Sequence, residues 1–130
     1  MEDYRSGLAR ARGLGSARRG ASHWIAERVS AVALAPLSLW VVWSALRLSR
    51  TGYHGAMAWL GSPVNAVLAA VLVAVAFWHM HAGLRVVIED YIHAPLSKTA
   101  LLLLNLAISV LGAGLALFSV LKAAIGGSAY

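Results

Sequence analysis

Three stretches of this chain, residues 29–46, 51–84 and 99–121, contain no Lys, Arg, Asp or Glu. A helix that crosses a bilayer needs about 20 mostly apolar residues. The first and third stretches fit one such helix each, and the first can borrow from its flanks. The second is longer, but Gly52, Gly55, Gly61 and the Ser62-Pro63 pair make its first third read as a loop. The pattern predicts an all-α integral membrane protein with three transmembrane helices near residues 26–48, 64–91 and 98–123. Residues 23–125 then form the membrane domain, and residues 1–22, rich in Arg, Gly, Ala and Ser, form a flexible basic arm.

The remaining composition closes off other classes. Of 130 residues, 60% are hydrophobic and 12% charged, about half the ionic content of a soluble domain. A chain this short cannot hide so much apolar surface in a core of its own, which excludes a soluble globular enzyme. The lack of Cys excludes disulfides, thiolate metal sites and Cys-ligated iron–sulfur clusters. The formal charge is +6, yet the Arg-rich arm has no folded reader, which argues against nucleic acid as a partner.

The basic residues instead report topology. Arg5, Arg10, Arg12, Arg18, Arg19 and Arg28 precede the first span, and Arg85 and Lys98 flank the turn between the second and third. Only Arg47, Arg50 and Lys122 fall on the other side. Basic residues concentrate on the cytoplasmic side, so the N-terminus is expected there and the C-terminus outside. A cleaved signal fits less well, because the apolar run starts late and exceeds the usual 7–15-residue signal core.

Ionisable groups inside a bilayer are costly and point to function. The second span carries His79, His81 and Arg85 and closes on Glu89-Asp90-Tyr91. Counted back from about residue 88, His79 lies roughly 14 Å below the membrane surface. At about 100° per residue, His79, Gly83, Val86 and Asp90 share one face, with His81 about 160° away. An imidazole with a glycine one turn on describes an axial haem ligand with room for a flat macrocycle. It equally describes a histidine hydrogen-bonded to a neighbouring helix beside a close-packing glycine. His81 cannot clasp the same iron, and His23, His54 and His93 lie near helix ends. A bis-histidine haem here therefore takes its second ligand from another chain.

Two further groups carry paired readings. Glu89-Asp90-Tyr91 marks a helix end at the interface, where tyrosines anchor; it also offers a hydroxyl donor and a carboxylate to a quinone that must gain protons. Arg28 is either a snorkelling residue that fixes topology or a forked donor to haem propionates. The third span, with Asn105, Ser109, Gly112 and Gly114, reads as a packing element.

Taken together, Gly13-Leu14-Gly15-Ser16, His23-Trp24, Arg28-Val29-Ser30-Ala31 and above all the run from His79 to Tyr91 (HMHAGLRVVIEDY) resemble the smaller cytochrome b-type membrane anchor subunits of succinate dehydrogenase. In that family a histidine four residues before a glycine, and twelve before the tyrosine of an Asp-Tyr pair, is the haem b ligand. The resemblance implies that His79 ligates haem b beside Gly83, with the other axial histidine supplied by a second cytochrome b anchor subunit. It implies that Tyr91 donates to ubiquinone with Asp90 close by, and that Arg28 meets a propionate or lines the pocket. It further implies a flavoprotein subunit, an iron–sulfur subunit and membrane lipid as partners, in a bacterial inner membrane with a periplasmic C-terminus. The chain would do no chemistry on succinate itself. The rival readings are the anchor of a related fumarate reductase and a haem-free scaffold or transport component. His81 departs from the family pattern.

Overall fold

The computed structural model describes residues 6–11 and 20–127. These residues form a short α1 (Gly7–Ala11), then α2 (Gly20–Leu48), α3 (Gly52–Gly61), α4 (Pro63–Tyr91) and α5 (Pro95–Gly127), with no strand among them. Three of the helices, α2, α4 and α5, are long and apolar enough to cross a membrane. Gly13-Leu14-Gly15-Ser16 and most of the basic arm lie outside the described residues.

Sequence chemistry explains where each helix stops. After α2 the chain turns through Gly52, whose φ of 67° favours a residue without a Cβ. Between α3 and α4, Ser62 is extended (φ −68°, ψ 124°), because the ring of Pro63 disfavours the helical region for the residue before it. Pro63 then opens α4, where a missing N–H costs nothing. Pro95 opens α5 in the same way after the extended Ile92. Pro36 lies within α2 without ending it.

The segment expected as a loop, 51–63, instead contains α3. Gly55 and Gly61 each cost a helix up to about 1 kcal/mol relative to alanine, but tertiary packing offsets that cost. Trp59 stacks on Trp40 of α2 with ring centroids 5.3 Å apart, and Asn65 Nδ2 donates to the Trp59 carbonyl at 2.9 Å. The rest of α3 packs on α5.

α4 is the central helix. It packs on α5 along one side and on α2 along the other, while among the described residues no Cα of α2 lies within 8 Å of one in α5. Phe77 of α4 seats against Gly112 of α5, where a Cβ would lie 2.5 Å from the ring. At the turn, Lys98 Nζ donates to the Glu89 carbonyl at 2.9 Å.

The burial pattern is the inverse of a soluble core. Among the described residues the buried side chains are Ser30, Ser44, Asn105, Ser109 and Ala82, while Val32, Leu39 and Leu115 are each about 70% exposed. Lipid tails are as apolar as leucine, so helices in a membrane gain little by hiding leucine and associate through small and polar contacts. This is a multi-pass membrane protein.

Candidate functional site

α2 and α4 meet at Ser30, whose hydroxyl reaches the imidazole of His79. The Ser30 hydroxyl lies 2.9 Å from the Glu27 carbonyl and 2.9 Å from His79 Nδ1. A hydroxyl has one hydrogen and two lone pairs. Ser30 donates its hydrogen to Glu27, three residues back on its own helix, and accepts from the Nδ1–H of His79. This assignment satisfies both contacts with the Nδ1–H tautomer of the imidazole. Nε2 is left with a bare lone pair, the form that binds a metal.

The face beyond His79 stays open. A Cβ built on Gly83 meets nothing within 4 Å, so the packing of this chain does not itself require a glycine there. Asp90 and Tyr91 follow at the helix end, Tyr91 being 77% exposed. Neither side chain has a hydrogen-bond partner among the described residues. Twelve residues of helix put Tyr91 about 18 Å along the axis from His79.

His81 occupies a different setting. Its carbonyl accepts from Asn105 Nδ2 at 3.0 Å, which ties α5 to α4, and Ser109 Oγ donates to Asn105 Oδ1 at 3.4 Å. Its ring Nδ1 is buried without a partner. Arg28 is not brought to His79: it stands two residues, or about 200°, round α2 from Ser30, and its guanidinium lies 5.4 Å from the centroid of the Trp24 ring. Among the described residues no three His, Asp or Glu side chains cluster as a chelating site.

The family model described as succinate dehydrogenase/fumarate reductase transmembrane subunit matches residues 2–120. The chain belongs to this family. It is 33% identical to the succinate dehydrogenase hydrophobic membrane anchor subunit of Rickettsia conorii over 106 residues, 80% of this chain and 84% of that one. It is 39% identical to the Paracoccus denitrificans subunit of the same name over 95 residues, 71% of each chain. The succinate dehydrogenase membrane anchor subunit of Reclinomonas americana is 25% identical over 72% of this chain and 80% of its own. No solved structure matches the chain.

Within this succinate dehydrogenase/fumarate reductase transmembrane subunit, sequence reasoning singled out His79 but gave Ser30 no role. The signal available was a hydroxyl two residues after Arg28, but Ser38 and Ser44 offer the same signal in the same helix, and its partner stands 49 residues away. Asn105 was read as packing, and its clasp on the His81 carbonyl is packing of that kind.

Proposed function

We propose that this transmembrane subunit carries haem b and part of a quinone site in a succinate dehydrogenase complex. The observation that carries the reading is the Ser30–His79 contact at 2.9 Å, which with Nδ1 as the donor leaves the Nε2 lone pair available to a metal. The open face at Gly83 and the family membership support it. The relatives' names favour succinate oxidation over fumarate reduction as the working direction.

In this reading the chain takes no part in oxidising succinate. That work falls to a flavoprotein subunit and an iron–sulfur subunit, which the anchor holds at the membrane. A second cytochrome b anchor subunit would supply the other histidine that holds the haem. Haem b, when bound, supplies a one-electron centre within the anchor. Ser30 orients the His79 ring toward it. Arg28 joins only as a lining residue of the surface shared with a partner, since it faces away from Ser30. Tyr91 donates its hydroxyl to a ubiquinone carbonyl, and Asp90, exposed beside it, offers a proton path to water. The excess of Arg near the start of the chain supports an N-terminus on the cytoplasmic face and a C-terminus on the periplasmic face, in a bacterial inner membrane.

A reduced-minus-oxidised absorption spectrum of the complex, purified with its native subunits, tests the reading. A b-type signal at one haem per copy of this chain is expected, and a colourless complex overturns it. Ser30→Ala removes the acceptor for Nδ1–H, so haem retention in a detergent wash is expected to fall about 10- to 100-fold. Ser30→Thr, which keeps the hydroxyl, restores it.

A further inference from the structure

The seam of α5 on α4 is tied at seven-residue intervals. Lys98 Nζ donates to the Glu89 carbonyl at 2.9 Å, Asn105 Nδ2 donates to the His81 carbonyl at 3.0 Å, and Gly112 receives the Phe77 ring. Seven residues turn a helix through about 700°, some 20° short of two full turns, so the three contacts follow one stripe of α5. The two deeper ties join the helices within the apolar span. The tie at Lys98 lies at the end of α4, two residues before Tyr91.

The last turn of α4 has few bonds of its own, because a helix leaves its final four carbonyls without intrahelical partners. Ile92 N–H reaches the Ile88 carbonyl at 3.1 Å. Ile92 is extended (φ −103°, ψ 111°), so the chain leaves the helix before residue 93 can serve the next carbonyl, that of Glu89. Lys98 takes that place. It is the fourth residue of α5, and its own N–H is bonded to the Ala94 carbonyl at 2.9 Å. A cation at a helix C-terminus is also favoured by the helix dipole. Through its carboxylate Glu89 is held as well, by Arg85 Nε at 2.8 Å. Tyr91 thus stands on a turn whose end is pinned by a side chain of another helix.

We propose that Lys98 is a positioning residue for the quinone site, holding the last turn of α4 so that the Tyr91 hydroxyl stands where a quinone carbonyl can accept from it. This rests on Tyr91 being the quinone donor, and it adds a residue of α5 that touches no substrate. Without the amine the Glu89 carbonyl turns to water and the last turn frays. A misplacement of about 1 Å can cost a reaction about 100-fold. Here the donor is displaced rather than removed, so the loss stays below that of Tyr91→Phe.

A double-mutant cycle in the complex purified with its native subunits tests this, with succinate–quinone activity read against succinate oxidation by an artificial acceptor. Lys98→Met keeps an arm of similar length and removes the donor. It is expected to lower kcat/KM for ubiquinone about fivefold at an unchanged artificial-acceptor rate, and Lys98→Arg is expected to restore it. In a Tyr91→Phe background Lys98→Met should cost nothing further, since its effect runs through a hydroxyl already gone. The same fivefold loss in both backgrounds overturns the proposal, as does a parallel fall of both activities. Full quinone activity in Lys98→Met beside an impaired Tyr91→Phe also overturns it, while leaving the quinone donor in place. An unimpaired Tyr91→Phe removes both. If Lys98→Met does not assemble, Lys98→Gln, polar but with a shorter arm, is read in its place.

Discussion

Replacing His79 with alanine is expected to remove the b-type absorption of the purified complex, lowering haem per complex at least tenfold. An axial ligand is a bond to iron and its loss is not made good by neighbours, whereas loss of an outer hydrogen bond such as that of Ser30 weakens metal affinity only 10- to 100-fold. The substitution is mild for the fold. Ser30 keeps its bond to the Glu27 carbonyl, so no buried hydroxyl is orphaned when the imidazole goes. His81→Ala supplies the control, because His81 faces another side of α4 and its contact to Asn105 uses the backbone carbonyl, which alanine retains. A spectrum that survives His79→Ala and vanishes in His81→Ala would make His81 the ligand and overturn the assignment to His79.

The spans were legible in the sequence because the absence of charge over some twenty residues has one common physical cause, contact with hydrocarbon. The same reasoning misread 51–63. Glycines and a Ser-Pro step are signals of local backbone freedom, and in α3 local preference lost to Trp59 stacking on Trp40 and to packing on α5. Neither contact has a signature in the order of residues. The candidate site divides along the same line. His79, Gly83 and Asp90 follow one another at helical spacing, so a 100° step places them on one face, with Tyr91 about 120° round the same helix. Ser30 belongs to a different helix, and only the packing of α2 on α4 brings its hydroxyl to the imidazole. What a single helix repeats can be read from the sequence; what two helices share cannot.

Tyr91→Phe is expected to lower succinate–quinone activity about tenfold to a hundredfold while leaving succinate oxidation with an artificial acceptor unchanged. Reduction of a quinone builds negative charge on its carbonyl oxygens, and a hydrogen bond to such a group contributes more than one between neutral partners. Phenylalanine keeps the ring and removes only the donor. Tyr91 makes no hydrogen bond within the described chain and is 77% exposed, so its hydroxyl has little to do with folding this subunit. That makes the two assays separable. If both activities fall together, the tyrosine serves assembly with the catalytic subunits. If neither falls, its hydroxyl is away from the quinone and its exposure reflects ordinary anchoring at the interface. Asp90→Asn sharpens the distinction, since it keeps a side chain of the same shape but removes the carboxylate that would relay protons. A fall in quinone reduction for Asp90→Asn that grows as pH rises, with the artificial-acceptor rate flat, would tie the pair to proton delivery, because the donor from solution becomes scarcer as the internal relay is lost.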